Sequence, residues 1–356
     1  SGVLTITAPN TSTDRTITLP DATGTLLNTN GSAASLTAIP AAQITGTLPA
    51  INGASLTNIP PQGRKNIIIN GDFRINQRGL TTSAAAVTNG AYDIDRMKNY
   101  LVGVSGTVAL GSAEAVNGTY EIPLKYTAGS TASGRIGVYH LIEDWHHGET
   151  LTASAWVKSD NANARIVAYD GSTTTSSNTH TGGGAWELLK VTFTQRTNAG
   201  QLYIWSAIIS ATVGSVSIAS GDYIYTSKFQ CERGSVATDF ERLNDGEQLA
   251  LCERYYQRWG YNDVSSATDM GALTMWNLNT TACSSCQQFT TTMRGSPSIT
   301  VVGTPINSSG ASVTDLKYSI YFSGGWKGCS DISPNTVNKF GFRYDATSND
   351  SMTAGG

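Results

Sequence analysis

Apolar and polar residues alternate with a period of two along much of the chain, the pattern of β-strands. In residues 151–158 (LTASAWVK), one side of such a strand carries only apolar residues: Leu151, Ala153, Ala155 and Val157. The other side carries Thr, Ser, Trp and Lys, so the pattern predicts a half-buried strand. Segments 201–209 (QLYIWSAII) and 222–230 (DYIYTSKFQ) repeat it between turn signals. We therefore predict a β-sandwich over residues 62–243.

The N-terminal segment contains a near-repeat, ASLTxIP, at residues 34–40 and 54–60. Short runs of alternating apolar and Thr residues, punctuated by Pro and Gly, surround it and predict short strands and turns. One copy cannot bury its own Leu and Ile, so identical chains must supply the missing core. We predict that residues 1–61 form a β-rich stalk in which identical chains associate. The alternative is a flexible Pro/Thr-rich linker.

Residues 244–260 carry the one clear helical pattern, with Asn244 or Asp245 as the N-cap and Gly260 as the end. The apolar stripe of this junction helix consists of Leu249, Cys252, Tyr256 and Trp259. Alternation returns at residues 290–302 and 317–322, which predicts a C-terminal β tip domain over residues 261–356. The predicted fold class is all-β.

Charge and cysteine content exclude several classes of protein. Only 14% of residues are charged, and 23 basic against 26 acidic side chains give a net charge of -3. This balance provides no patch for nucleic acid or an anionic membrane. No run of eighteen apolar residues exists, so we expect no membrane insertion. The five cysteines are irregularly spaced and predict no disulfide framework, which fits synthesis in a reducing cytosol. The first residues are Ser-Gly, and we expect a longer parent chain.

Four strings occur in order through the predicted sandwich: NIIINGDFRINQRG (66–79), YDIDR (92–96), GETLTASAWVKS (148–159) and QCERGSVATDFERL (230–243). They resemble carbohydrate-binding-module-like jelly rolls of phage tail and virion proteins, the first string being the opening strand. Cys231 and Arg233 depart from the usual form, in which Leu and Pro are common. TITLPDATGTLL in the stalk resembles tail-fibre shafts, in which three chains wrap into a β-rich trimer, so the resemblance implies a homotrimer. LALCERYYQRW resembles their junction helix, and TTMRGSPSITV resembles a strand-turn-strand signature of their C-terminal domains.

The resemblance implies a bacteriophage tail-fibre protein that attaches to host surface polysaccharide and joins other tail proteins in the virion. We expect no enzyme, because no paired-acid motif occurs at recognisable spacing. Two alternatives stay open: a structural adaptor that binds protein partners, and a polysaccharide depolymerase.

The densest polar cluster is EDWHHGE at residues 143–149. Adjacent histidines on a strand point to opposite faces and chelate metal poorly, and Glu143 and Asp144 are too close in sequence to indicate a glycosidase. As a glycan site, Trp145 would stack on a sugar while His147 and Glu149 bond its hydroxyls. The alternative is a polar loop without a ligand.

A second candidate glycan site is Trp326 with Lys327, in the Gly-rich string SGGWKG. A Trp in such a loop can be an exposed sugar platform or fold back onto its own domain. The resemblance also implies a structural Ca²⁺ near Asn70, Asp72 and Glu232, which the nearby Arg74 disfavours. We therefore predict no metal and no cofactor. The pair Cys283 and Cys286 has no partner pair at zinc-site spacing.

Overall fold

The computed structural model describes residues 64–143, 146–258, 276–277, 282–299, 318–322 and 325–348. The predicted stalk, residues 1–61, lies outside this part of the chain. The described residues form one helix and strands that pair antiparallel throughout, which confirms the all-β class. The domain boundaries stay predictions. No helix in the described ranges is long and apolar enough to cross a membrane.

The strands follow one another along the chain as β1 (Ala85–Ala86), β2 (Tyr92–Ile94), β3 (Met97–Val102), β4 (Gly106–Leu110), β5 (Glu114–Val116), β6 (Thr119–Glu121), β7 (Leu124–Ala128), β8 (Ala132–Ile142), β9 (Thr150–Ser159), β10 (Ala164–Tyr169), β11 (Thr174–Ser176), β12 (Trp186–Thr194), β13 (Leu202–Ile208), β14 (Val216–Ile218), β15 (Tyr223–Arg233), β16 (Trp276–Asn277), β17 (Ala282–Gln288), β18 (Tyr318–Phe322), β19 (Gly325–Asn338) and β20 (Gly341–Ser348). The helix α1 spans Asp245–Glu253.

Two sheets pack face to face as a sandwich. The first sheet has the order β1-β4-β7-β15-β9-β12, and the second has the order β11-β10-β13-β8-β3-β2, with β14 paired to β8. A third sheet, β16-β17-β20-β19-β18, lies in the C-terminal region, and β5 and β6 form a separate hairpin. The β-sandwich predicted from the alternating segments is therefore present, in agreement with the jelly roll that the resemblance implies.

The core between the first two sheets is built by the predicted period of two. The four predicted inward residues of β9 are all 0% exposed, and they share one hydrophobic cluster with Leu202, Ile204 and Ile208 of β13. The opposite side of β9 is more buried than predicted, with Thr152 at 1% and Ser154 at 4% exposed. There the Thr152 hydroxyl donates to the Gly234 carbonyl at 2.8 Å.

The segment predicted as the opening strand, Asn66 to Gly79, contains no strand. It runs along β15 as a buried irregular segment, in which the Ile67 N–H donates to the Cys231 carbonyl at 2.7 Å. Asn70 and Phe73 have positive φ angles of 62° and 60°, which interrupt any regular strand. Apolar residues here fill the core through turns rather than through a ladder.

The helix α1 begins as predicted, because the Asn244 side chain accepts the Glu247 N–H at 2.9 Å. It ends at Glu253, not at Gly260. The Arg254 carbonyl accepts the Arg294 N–H at 2.8 Å, so a helical bond to residue 258 is replaced by a long-range contact. Cys252 is fully buried against Ile69 and Ile75.

In the C-terminal region the predicted strand at residues 317–322 is present as β18. Residues 290–299 form no strand, contrary to their alternating pattern. They contact the segment that follows α1 instead: the Thr290 N–H donates to Gln257 Oε1 at 3.1 Å, and Met293 is buried. The Thr hydroxyls and the Pro in this stretch favour such side-chain contacts over a ladder.

Candidate functional site

An aromatic cluster lies on the outer face of the second sheet, opposite the sandwich core. Its centre is Trp205, and the rings of Tyr100, Tyr139, Tyr169 and Tyr203 have centroids 5.7, 5.9, 5.9 and 5.3 Å from it. These separations are typical of interacting aromatic pairs. We call these five side chains the aromatic face.

Strand register brings these residues together. Trp205 on β13 pairs with Tyr139 of β8 on one side and with Val167 of β10 on the other. Tyr203 pairs with Tyr169 two residues earlier on the same face. Side chains alternate between the two faces of a strand. The sequence neighbours of the core residues on β8, β10 and β13 therefore point to the outer face of the sheet.

Gly137 lets the fourth tyrosine reach the cluster. Tyr100 on β3 pairs with Gly137 on β8, which separates β3 from β13. A Cβ atom at Gly137 would lie 2.4 Å from the Ser206 carbonyl oxygen and 2.6 Å from the Ala207 Cα. Because Gly137 has no side chain, β8 and β13 approach closely and the Tyr100 ring can lie across β8 toward Trp205.

The accessible groups of the aromatic face are the tyrosines. Each of the four is half-buried, whereas Trp205 is only 5% exposed. Trp205 rests among the buried outer residues Val167, Ala207 and Ile209. A bound molecule would therefore meet tyrosine rings first, with the indole as their support.

Two cations border the aromatic face. Arg135 donates to the Tyr100 hydroxyl and to the Val213 carbonyl, both at 2.6 Å, which fixes the position of the Tyr100 ring. Near the other end of β8, the Lys98 ammonium lies 6.0 Å from the centroid of Tyr139, a cation–π distance. The border is thus polar and positively charged, while the centre is aromatic.

Burial raises the pKa of three of these phenols, whose ordinary value of about 10 already keeps them neutral at pH 7. It raises the pKa of Tyr139 to about 12, and the nearby phenols of Tyr92, Tyr203 and Tyr100 add to the shift. Burial also raises the pKa of Tyr100, although Arg135 partly offsets the effect, and it raises the pKa of Tyr203. At neutral pH these hydroxyls can therefore both donate and accept hydrogen bonds.

This arrangement suits a ligand with flat apolar faces and polar edges. Aromatic rings provide contact area at low entropic cost, and hydroxyls and cations at the rim can orient polar groups. Among the residues that the structure describes, no group of three or more His, Cys, Asp and Glu side chains could hold a metal. Two of the Ca²⁺ ligands that the resemblance implies have other partners: Asp72 is bound to Arg74 at 2.6 Å, and Glu232 accepts the Thr238 N–H at 2.8 Å.

The first predicted glycan site is only partly described, since Trp145 lies outside the described residues. Glu149 accepts from Arg233 Nε at 2.8 Å and lies 3.0 Å from Nδ1 of His146, the neighbour of the predicted His147. Burial raises the pKa of Glu149, but the bonds from Arg233 and His146 outweigh burial and lower it. His147 is exposed, and its Nε2 lies 3.0 Å from the Ala199 carbonyl oxygen. Glu149 is therefore already committed to an ion pair, and its role in glycan binding stays a prediction.

The second predicted site has a different backbone from the one expected. Trp326 and Lys327 lie in β19, not in a loop, and they pair with Tyr321 and Ile320 of β18. The backbone N–H and C=O groups of glycine form ladder hydrogen bonds as those of other residues do. The Gly-rich string can therefore pair with β18, whose residues favour a strand. Glycan binding by Trp326 and Lys327 stays a prediction.

Sequence reasoning did not select the aromatic face as a site. The alternation in QLYIWSAII places Tyr203 and Trp205 on one side of a strand, which was a usable signal. Tyr100, Tyr139 and Tyr169 come from three other strands, and only the sheet order shows that they meet.

No protein-family model matches the chain, and no curated protein matches it. Solved structures similar to it include the enzymatically active domain of tailspike protein 4 from bacteriophage CBA120, at 12% identity and a TM-score of 0.34. That match covers 48% of this chain and 21% of the tailspike chain. The module TmCBM61, solved with β-1,4-galactotriose, is 14% identical, with a TM-score of 0.30 and coverage of 48% and 100%. The CBM22-1 xylan-binding domain from Paenibacillus barcinonensis is 17% identical, with a TM-score of 0.28 and coverage of 45% and 99%. The function proposed below rests on the residues of this chain.

Proposed function

We propose that this chain is a carbohydrate-binding protein of a bacteriophage tail fibre and that host surface polysaccharide binds on the aromatic face. The observation that carries the proposal is the group of four half-buried tyrosines around Trp205. The apolar side of a sugar ring stacks on aromatic rings, and its hydroxyls bond to polar groups at the rim. Arg135, Lys98 and the tyrosine hydroxyls supply that rim.

Trimer formation would strengthen attachment. The resemblance of the stalk to tail-fibre shafts implies three chains side by side, so each fibre would present three copies of the aromatic face. Linked weak sites give much stronger attachment than one site, because later contacts form at a high effective concentration. In this proposal the stalk joins other tail proteins of the virion.

The proposal is for binding without catalysis. Glycosidic hydrolysis ordinarily uses two carboxylates flanking the bond, and none is part of the aromatic face. A polysaccharide depolymerase is the enzymatic alternative, and release of reducing sugar from host polysaccharide would reveal it.

A structural adaptor is the other alternative, and one observation favours it. Tyr120 on the β5–β6 hairpin and the adjacent Ile122 are 79% and 48% exposed. Exposed apolar residues of this kind often mark protein contacts. An adaptor would bind tail proteins through such residues and would show no affinity for glycans.

Binding of the purified chain to host cells tests the proposal. We expect saturable binding to intact cells, loss of binding after the surface polysaccharide is stripped, and specific signals on a glycan array. Binding that survives stripping, together with an empty array, would contradict a glycan receptor.

A further inference from the structure

A small cavity of about 160 Å³ lies between β8, the end of α1 and the irregular segment before β1. Its polar lining consists of Arg64, Arg96, His140, Glu143, Arg254 and Tyr255. We call it the basic cavity. It is separate from the aromatic face, because His140 belongs to the core side of β8 whereas Tyr139 points outward.

Three hydrogen-bond donors of the basic cavity are buried and have no hydrogen-bond partner among the described residues. They are Arg96 Nε, His140 Nδ1 and the Tyr255 hydroxyl. Arg96 is 7% exposed and His140 is 1% exposed, so bulk water does not solvate them freely. Buried polar atoms are nearly always satisfied in proteins, and three unpartnered ones around one cavity indicate a missing acceptor.

His140 acts as a donor because of its other nitrogen. The Ile69 N–H donates to His140 Nε2 at 3.3 Å, so the proton of the neutral imidazole is on Nδ1. Burial lowers the pKa of His140 well below its ordinary value, and the charges of Arg96 and Arg64 add to this effect. The ring is therefore neutral at physiological pH and presents one N–H.

The charges around the cavity do not balance. Arg64, Arg96 and Arg254 contribute positive charge, and Glu143 is the single carboxylate among the lining residues that the structure describes. Glu143 Oε1 already accepts from Arg254 at 3.1 Å and from Arg294 at 3.1 Å.

Arg96 is held in place without a carboxylate in ion-pair contact among the described residues. Its guanidinium donates to the Leu141 carbonyl at 3.0 Å and lies 3.5 Å from the centroid of the Tyr255 ring. Burial lowers its pKa to about 10. A buried cation without an anion is costly, so an anion would stabilise this arrangement.

We propose that the basic cavity binds an oxyanion, either the carboxylate of an acidic sugar or a phosphate group. Either group has several acceptor oxygens and negative charge, which match the free donors and the surplus of arginines. The cavity volume equals that of about five water molecules in liquid water, at about 30 Å³ each. One carboxylate or phosphate group therefore fits inside it. A larger cavity of about 420 Å³ shares Arg254 and Tyr255 with it and can hold the rest of the ligand.

The test is calorimetric titration of the full chain with sodium phosphate and, separately, with glucuronate, at constant ionic strength. We expect saturable binding of at least one of them. Tyr255→Phe should weaken it about tenfold or more, because it removes one donor to a charged group and keeps the ring beneath Arg96. Tyr256→Phe is the matched control. Tyr256 does not line the cavity, so this variant should bind the ion with unchanged affinity.

A second variant guards against loss of folding in the first. Arg254 is 43% exposed, so Arg254→Gln should fold normally and also bind more weakly. Preference for glucuronate would support the site and identify an acidic sugar, and preference for phosphate would support it and identify a phosphate group. Absence of saturable binding by both ions, or equal affinity in wild type, Tyr255→Phe and Arg254→Gln, would overturn the proposal and leave a cavity filled by water. The test does not depend on the aromatic face.

Discussion

Tyr139 and Trp205 lie directly opposite each other on β8 and β13, with ring centroids 5.9 Å apart on the outer face of the second sheet. Tyr139 is half-buried, whereas Trp205 is 5% exposed. The pair therefore combines an accessible contact group with a buried support. Substitutions of the tyrosine should affect ligand binding, and substitutions of the tryptophan should affect stability as well.

Gly137→Ala should destabilise the sandwich by about 1 to 3 kcal/mol or more, because the new methyl group overlaps the backbone of β13. The nearest atom, the Ser206 carbonyl oxygen, would be only 2.4 Å away. Urea unfolding measures the change. Gly200→Ala is the control, since no atom lies within 4 Å of the position that its methyl group would take. Equal stability of both variants would show that β8 and β13 are not in close contact at Gly137.

Alkylation by iodoacetamide at pH 8 should distinguish the described cysteines. Cys231 and Cys252 are fully buried, and burial raises the pKa of both thiols, so neither should react in the native protein. Cys286 is exposed and should react readily. Peptide mass spectrometry with and without urea gives the extent of labelling at each position. Rapid native labelling of Cys252 would contradict the packing of α1 against Ile69 and Ile75.

Stability should fall as the pH is lowered below 6.5, and His140 should be one cause. The folded-state pKa of His140 lies below its ordinary value of 6.5. Above that pH both states are neutral, and below it the unfolded chain takes up a proton that the folded chain excludes. The free energy of unfolding should therefore decrease by up to about 1.4 kcal/mol per pH unit until the folded-state pKa is reached.

The measurement is urea unfolding between pH 7 and pH 5 in a buffer free of phosphate and carboxylates. His140→Gln should remove this part of the slope, while His147→Gln, at an exposed position, should leave it nearly unchanged. Identical slopes in the two variants would show that His140 does not exclude a proton.

The stalk prediction concerns Leu36, Ile39, Leu56 and Ile59, which lie outside the described residues. We expect light scattering to give three times the mass of one chain. Leu56→Asp should weaken the trimer because it places a charge in the shared core, whereas Thr57→Asp adds the same charge at a polar position and should be tolerated. A stable folded monomer of the unmodified chain would contradict this assembly.

Local patterns in the sequence predicted local structure well. The alternation in residues 151–158 identified the buried side of β9, and the Asn244 N-cap identified the start of α1. Both depend on residues within a few positions of each other, where side-chain period and capping chemistry act directly.

The features that the sequence did not reveal depend on distant contacts. At the end of α1, the Arg254 carbonyl accepts the N–H of Arg294, forty residues away, instead of a helical N–H. Positive φ angles at Asn70 and Phe73 turn an apolar string into an irregular segment. The aromatic face requires the order and register of β3, β8, β13 and β10, which no single segment specifies.

The most direct test of glycan binding at the aromatic face compares Tyr139→Ala and Tyr203→Ala with Tyr120→Ala as the matched control. Tyr120 is 79% exposed on the β5–β6 hairpin, away from the cluster. Binding of each variant, and of Trp145→Ala and Trp326→Ala, is measured on host polysaccharide after circular dichroism confirms the fold. We predict that Tyr139→Ala and Tyr203→Ala each weaken binding about tenfold or more, while Tyr120→Ala binds like wild type. Undiminished binding by both aromatic-face variants, or loss confined to Trp145→Ala or Trp326→Ala, would contradict the central claim.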